Sequence, residues 1–504
     1  MYFFAYGIDP LISYLDNRLK GIPIYSLPVH GPVEKGSLQR NLPPLEEIYK
    51  VVSYADDIKP AVTTMDEFIL VDKASALFEA ASGCKLHRNP DSQKCKFLPL
   101  GRWRTMLRQD NLPLQCQYII LSDHLDMLGV QLKALWTQTR KVNGDCVVKK
   151  VSMLANSWKG GKFMPLSLRP FSVNSFLLSK VWFRCGTVDL RVGDITAITS
   201  AFKSWLYSDL WEKPSEDIMC RPTCAGGLGV ENVKLKALAI LIRSFMETAA
   251  NPQFQQSLLH SSLYRYHILR DNSIPNPGYT PYYSKSFFDA IDQVRQLYPL
   301  DIEKMSIKEW SKCLTECRLT KDVMTGNYFL SRAETVYPNN DWLNCWRLIR
   351  LRGLDSNLVS FNFKLIHGLL VTNKRKHELK RLVYPCCKLC YDNVEEDIKH
   401  ALFECKFNNS IGQIILSKVR SLDVNITPEK ILTYDLSCIE DVKELPAVTF
   451  IYTCLMEVWI GRSKNSRISL YDIRSTLEAR CLLLRETRYR ASVDGLEEML
   501  RNFQ

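Results

Sequence analysis

The sequence predicts an α+β chain: one short antiparallel hairpin set among many helices, with a small Cys/His module near the C-terminus. Three observations predict it. Residues Ile48 to Ala55 are rich in β-branched and aromatic side chains and are followed by Asp56-Asp57 and a second such run from Ile58, which is the pattern of two paired strands and their turn. Elsewhere apolar residues recur at three- and four-residue spacing, the period of an amphipathic helix. Finally, Cys387-x2-Cys390-x9-His400-x4-Cys405 brings four soft ligands together in a short stretch.

Taken in order, Ile8, Leu11, Ile12, Leu15 and Leu19 make the first apolar stripe, and Gly21-Ile22-Pro23 ends that helix. Loop follows through Pro44, then the hairpin. Thr64 opens the next helix as its N-cap, and Glu67 reaches back to complete a capping box. Phe68, Val71, Ser75 and Phe78 form the inner stripe of that helix, and Gly83 takes the left-handed position past its end. The chain from Asp110 reads as strand and then helices, including a strand at Leu128-Gly129-Val130. A Pro/Tyr-rich loop, Pro275 to Tyr283, precedes a further helical stretch. Glu395 to Phe403 reads as a helix that delivers His400 and Cys405 near its exit. Trp205, Trp211 and His124 read as core residues, the last because it has no acidic or cysteine partner at ligand spacing.

Composition sets limits on function. The 504 residues are 46% hydrophobic and 24% charged, as in an ordinary folded protein. Lys and Arg number 66 against 54 Asp and Glu, a net +12 that makes a polyanionic partner worth seeking. The longest apolar run, Leu445 to Met456, is too short to span a bilayer, and the N-terminus has no basic flank of the kind a signal peptide carries. Seventeen scattered cysteines suit free thiols in a reducing compartment, some of them on a metal. The expectation is an intracellular chain, nuclear or cytoplasmic, that does not engage a membrane.

Adjacent carboxylates at a hairpin tip repel each other unless a cation sits between them. Hard oxygen ligands suit Mg²⁺, and the chemistry that uses such a pair is two-metal phosphoryl transfer, with ions about 4 Å apart. The alternative is a solvated turn in which Asp56 and Asp57 cap backbone groups. At the other end, two thiolates on a tight turn with His400 and Cys405 one helical turn apart can close a tetrahedral Zn²⁺ site. Cys386 is an alternative ligand to Cys387, and buried free thiols are the alternative to a metal.

The order of these pieces carries a resemblance. Tyr54-Ala55-Asp56-Asp57, the capped helix, Ala81-Ser82-Gly83-Cys84-Lys85-Leu86, Lys94-Cys95, Pro99-Leu100-Gly101, Leu128-Gly129-Val130 and Gly226-Gly227-Leu228-Gly229-Val230 occur in succession. Together they resemble the reverse transcriptases of non-LTR (LINE-like) retrotransposons. Trp346, Phe363-Lys364-Leu365-Ile366-His367-Gly368, Thr372-Asn373 and the Cys/His cluster resemble the C-terminal zinc segment of the same enzymes.

The resemblance implies a partial right-hand palm over residues 1–109, a thumb-like basic region over 110–250, a helical connection over 251–382, a CCHC zinc segment over 383–408 and a basic helical tail over 409–504. It implies RNA-directed DNA polymerisation, a nucleotidyl transfer using dNTPs, on an RNA template from a DNA primer at a nicked target. Asp56 and Asp57 would hold Mg²⁺, Tyr54 would lie under the primer end, and Lys94 is similar in position to a basic residue facing the departing pyrophosphate. The family also draws a carboxylate from an upstream strand, together with nucleotide-gripping fingers. No stretch before Ser53 reads as a strand ending in Asp, and Asp9 and Asp16 read as solvated helix residues. The expectation is therefore the C-terminal part of such an enzyme, inactive as a polymerase by itself. Residues 409–504 show no nuclease signature.

Between Gln131 and Pro170 lie eight basic residues and one acid: Lys133, Arg140, Lys141, Lys149, Lys150, Lys159, Lys162 and Arg169 against Asp145. Trp136, Trp158 and Phe163 are interleaved, so the stretch predicts phosphate contacts with aromatic stacking on bases. Arg140, Lys141, Lys149, Lys150, Lys159 and Lys162 are the candidate nucleic-acid contacts. Smaller clusters are Lys374, Arg375, Lys376, Lys380 and Arg381, and Arg480, Arg485, Arg488 and Arg490.

Overall fold

The structure, a computed structural model, describes residues 2–20, 22–24, 47–49, 51–54, 57–83, 94–158, 164–210, 212–250, 262–271, 273, 276–279, 283–298, 301–324, 334, 337–382, 384–390, 392–420, 426–436, 439, 441–466, 468–487 and 489–501. It is mostly helical with short strands, compatible with an α+β fold. Among the described residues no helix is long and apolar enough to cross a membrane. The chain forms two compact units, each assembled from separate stretches: Met1–Lys150, Lys180–Ile198 and Val233–Thr320 make one, and Val151–Ser179, Thr199–Asn232 and Lys321–Gln504 the other.

In the first unit, α1 (Tyr2–Arg18) packs Leu11, Leu15 and Leu19 against α2 (Met65–Ser82). β1 (Ile22–Ile24) pairs antiparallel with β2 (Glu47–Tyr49), and β3 (Val51–Tyr54) with β4 (Asp57–Pro60). The start of α2 is as its sequence requires. The Thr64 side chain accepts the Glu67 amide at 3.3 Å, the Glu67 carboxylate accepts the Thr64 amide at 3.2 Å, and Gly83 ends the helix at φ 72°. Glu67 also accepts the amides of Lys20 and Thr63, and although burial opposes it, these bonds hold its carboxyl below the usual range. The same side chain thus ties the end of α1 to the start of α2.

The hairpin departs from expectation by one residue. Tyr54 pairs with Asp57, so Asp57 belongs to strand β4 rather than to the turn, and Ala55 and Asp56 lie outside the described residues. Further on, β5 (Lys96–Phe97) pairs parallel with β6 (Ile120–Leu121), and β7 (His124–Met127) antiparallel with β8 (Val130–Lys133). Leu128-Gly129 is accordingly no strand but the turn of the β7–β8 hairpin, with φ of 49° and 79°; two positive φ values in a two-residue loop mark a type I′ turn. Arg184 donates to the Gly129 carbonyl at 2.7 and 3.1 Å and pins that turn. His124 is not core either. It is half-buried, with Nδ1 2.6 Å from Asp123 and Nε2 3.6 Å from Asp126, because strand alternation places Asp126 on its own face. Helices α3 (Trp136–Ser157) and α4 (Val192–Leu206) begin in residues of this unit and end in residues of the other; α5 (Val233–Ala250), α6 (Lys285–Leu297) and α7 (Ile307–Met324) build an aromatic core around Phe245, Phe287, Phe288 and Trp310.

The second unit holds α8 (Trp342–Ile349), α9 (Ser356–Ile366), α10 (Asn373–Glu378), α11 (Asn409–Arg420), α12 (Asp441–Ser463), α13 (Leu470–Arg485) and α14 (Ala491–Arg501). One apolar core runs from Cys345 through Leu402 and Phe403 to Leu500. Residues 409–504 are therefore the structural heart of this unit rather than a tail. Trp205 is buried, as expected; Trp211 lies outside the described residues.

Two of the sequence motifs that carry the resemblance meet inside this unit. Gly226, at φ 80°, lies under the Trp346 ring, where a Cβ would come within 2.5 Å of Cε2. The His367 ring stacks on Trp346 with centroids 5.3 Å apart, and its Nε2–H donates to the Gly226 carbonyl at 2.8 Å. Arg350 donates to the Gly227 carbonyl at 2.7 Å, and a buried Arg221–Glu334 pair at 3.3 Å lies beside them. Burial, reinforced by Arg221 and Arg350 and opposed by the Gly226 bond, lowers the His367 pKa from 6.5 to about 4. Its other nitrogen, Nδ1, is buried without a partner among the described residues.

Between pH 6.5 and about 4 the unfolded chain binds a proton at His367 that the folded chain does not, so stability is full above pH 6.5 and falls through that window. The expected loss from this residue is about 3 kcal/mol. Urea midpoints at pH 7.5 and 5.0 should show about 2 kcal/mol of it, and a His367→Asn variant should show a distinctly flatter dependence. Equal pH dependence in the two proteins would refute it.

Candidate metal centre

The Cys/His segment is built on a tight knuckle. The Cys387 amide donates to the Val394 carbonyl at 2.9 Å, the Glu396 amide donates to the Pro385 carbonyl at 2.9 Å, and Cys386 forms an antiparallel bridge with Glu395. Glu395 is thus extended and not helical, contrary to expectation. The helical turn begins only at Ile398, where Asp397 accepts the His400 amide at 2.8 Å in the manner of an N-cap. From His400 to Glu404 the turn is a π-helix, closed by the Cys405 amide on the His400 carbonyl at 2.8 Å. That i→i+5 closure explains the four-residue spacer: it brings both ligands to one side of a wide turn.

The ligand atoms of Cys387, Cys390, His400 and Cys405 all lie within 4.8 Å of one another. Cys387 Sγ is 3.8 Å from Cys405 Sγ, and Cys390 Sγ is 3.5 Å from His400 Nε2. Tetrahedral coordination with metal–sulfur bonds of about 2.3 Å and metal–nitrogen bonds of about 2.0–2.1 Å requires edges of about 3.8 and 3.6 Å. The residues therefore fit a four-coordinate metal ion. Cys386 Sγ instead faces the Asn393 carbonyl at 3.4 Å, which leaves Cys387 as the ligand. Burial raises the Cys387 thiol, but the backbone amides of Cys390 and Leu389 and the side chains of His400 and Arg462 outweigh it and bring the pKa to about 6. Burial pushes Cys405 up to about 12. Without metal, Cys387 carries the thiolate at neutral pH and Cys405 keeps its proton, so metal uptake releases protons.

The surroundings hold the knuckle in place. Thr372 caps α10 through the Arg375 amide, and Asn373 donates to the Cys386 carbonyl at 3.0 Å and to Glu396 at 2.8 Å. The Arg462 side chain, from α12, forms an ion pair with the buried Glu396. On the other side Gly412 of α11 comes so near the π turn that a Cβ would lie 3.1 Å from the Phe403 carbonyl oxygen. These contacts explain why Thr372-Asn373 accompanies the cluster in sequence. Glu396 and Arg462 carried no such signal.

The remaining candidate residues are placed as follows. Asp56 lies outside the described residues; Tyr54 and Asp57 are the paired strand ends of β3 and β4. Lys94 is exposed. Lys141, Lys149 and Lys150 are exposed on α3, whereas Lys159 and Lys162 lie outside the described residues. Arg140 is half-buried, donating to the Asp189 carboxylate at 2.9 Å. Others in the basic runs are similarly engaged. Arg169 is buried against Asp209, Lys133 pairs with Asp123, and Arg375 pairs with Glu212 at 2.5 Å. Arg480 is buried against Asp355 at 2.9 Å, and Arg485 pairs with Glu497. The Trp158 ring packs edge-on to Trp205 with centroids 5.6 Å apart, while the Trp158 backbone carbonyl accepts the Trp205 Nε1–H at 2.8 Å. No family model matches the chain, and no curated protein matches it.

Proposed function

We propose that the chain carries palm, thumb and zinc segments of a non-LTR retrotransposon reverse transcriptase, that it binds nucleic acid and a structural zinc ion, and that it does not polymerise DNA by itself. The observation that carries this reading is the pairing of Tyr54 with Asp57 at the ends of β3 and β4, which suits a Tyr-Ala-Asp-Asp hairpin followed by a capped helix. The meeting of the Gly226-Gly227 and Trp346/His367 motifs supports it, as does the Cys/His centre. The Cys₃His set favours zinc, since three thiolates and an imidazole in a closed tetrahedral arrangement are a structural zinc site.

On this reading Asp56 and Asp57 hold Mg²⁺, which when bound neutralises the charge that develops in phosphoryl transfer. Tyr54 supports the primer end, and Lys94 faces the leaving pyrophosphate. Asp9 and Asp16 fall within α1, an unsuitable setting for the further carboxylate the reaction needs. Primer extension on an RNA template, with Asp56→Ala as control, is expected to give no product from this chain. Extension that Asp56→Ala abolishes would overturn the claim of inactivity. Lys141, Lys149 and Lys150 then serve as phosphate contacts. Each contact contributes about −0.9 to the slope of log affinity against log salt, so replacing all three with Ala should flatten that slope by about 2.7. An unchanged slope would remove them from the interface.

A further inference from the structure

We propose that Arg462 is the positioning residue that balances charge at the metal centre, acting through the Cys387 sulfur. The inference rests on the zinc reading above. Three thiolates, one neutral imidazole and a divalent ion sum to a net charge of −1. Cys387, His400 and Cys405 are buried and Cys390 is half-buried, so water cannot dissipate that charge as it would at a surface. A cation held close by supplies what water does not.

The basic side chains near the knuckle divide into two groups. Lys374, Lys399 and Lys406 are exposed by 41% or more and are paired with the surface acids Glu395, Glu404 and Asp392. Arg462 differs. Its side chain is 9% exposed, and its Nη1 lies 4.0 Å from Cys387 Sγ while Nη2 pairs with Glu396. Both neighbours have their own supports. Glu396 accepts the Asn373 amide at 2.9 Å and its side-chain N–H at 2.8 Å, which leaves Arg462 a fixed acid to lean on. Arg462 itself stands in the last turn of α12. There Gly461 lets the chain fold back, since a Cβ at that position would fall 2.2 Å from Ile468 Cγ1, and the Ser466 amide closes the turn on the Gly461 carbonyl at 2.9 Å. A planar guanidinium can serve a carboxylate and a sulfur at once, which an ammonium does less well.

The test uses the full chain loaded with zinc and titrated with a chromogenic chelator, followed by Co²⁺ replacement and absorption spectroscopy. Arg462→Gln is expected to weaken zinc binding about 10- to 100-fold, as loss of an outer hydrogen-bond partner does at other metal sites. Its thiolate-to-cobalt charge-transfer band should move to longer wavelength, because a sulfur relieved of a nearby cation gives up electron density more readily. Arg462→Lys should recover part of both. Glu396→Gln, which keeps the cation and removes its acid, should bind zinc at or above the wild-type level, and it remains informative should Arg462→Gln fail to fold. The proposal is overturned by wild-type affinity in Arg462→Gln, by an unmoved cobalt band, or by a Glu396→Gln loss equal to that of Arg462→Gln, which would make the pair a purely structural one. A wild-type chain that takes up no zinc overturns the metal reading itself, and this inference with it.

Discussion

Exhaustive removal of metal is expected to abolish cooperative folding around the second unit's core. A structural zinc can contribute about 10 kcal/mol or more at neutral pH, as much as the entire net stability of an ordinary domain. The consequence is not confined to the knuckle. Leu402 and Phe403, which lie between two of the ligands, are members of the core that also contains Trp346, Ile415, Phe450 and Leu477, and Gly412 packs directly on the Phe403 backbone. Without a metal to draw Cys405 toward Cys387, the π turn loses its anchor and that face of the core opens. Far-UV circular dichroism during heating, with metal content measured on the same sample, checks this. A chain with well under one zinc per molecule that melts identically with and without chelator would remove zinc from the account.

Gly227→Ala is expected to cost about 4 kcal/mol or more, enough to leave the chain largely insoluble. The added methyl would sit 1.9 Å from the Arg221 carbonyl oxygen and 2.4 Å from its carbon. Those are backbone atoms and cannot rotate away. They are also committed: the Gly229 amide donates to the same Arg221 carbonyl at 3.0 Å, and the Gly227 amide to the Pro222 carbonyl at 3.0 Å. Relief would therefore break the loop that seats Trp346 and His367. Gly193→Ala is the control, because a Cβ there meets nothing within 4 Å and the residue lies inside α4. Gly193 is the second residue of α4, so that change should be near neutral, within about 0.5 kcal/mol. Soluble yield and urea midpoints of the two variants decide the matter; similar behaviour in both would refute the steric argument.

What could be read from sequence was governed by the range of the interaction. The Thr64–Glu67 box and Gly83 were legible because each is a side chain answering a backbone group a few residues away. The four metal ligands were legible for the same reason, since their spacing is a local geometric constraint. The π turn was not, because a helical period cannot distinguish i→i+4 from i→i+5 closure, and Glu395 was drawn into a strand bridge that helix propensity does not foresee. The basic runs misled in a different way. Charge along a sequence says nothing about distant acids, and Arg140, Arg169, Arg375 and Arg480 had been matched to Asp189, Asp209, Glu212 and Asp355. Arg462 escaped notice because its partners Glu396 and Cys387 lie far back in the chain.

The discontinuous make-up of both units bears on how the chain is synthesised. Neither unit is contiguous: the first is not fully specified until Thr320 has left the ribosome, and the second draws on residues from Val151 to the last helix. The bond between Gly226 and His367 joins residues 141 positions apart in the chain. Contacts of such separation slow folding, because the entropy of closing the loop is lost before any contact rewards it. A strict succession, with one unit finished before any of the other emerges, is thus closed to this protein, because Val151–Ser179 and Thr199–Asn232 of the second unit precede Thr320. Early segments of the second unit must wait: the Ser167 amide donates to Ser360 Oγ at 3.0 Å, a partner 193 positions further along the chain. A nascent chain of that kind depends on chaperones to an extent that a chain of sequential domains does not.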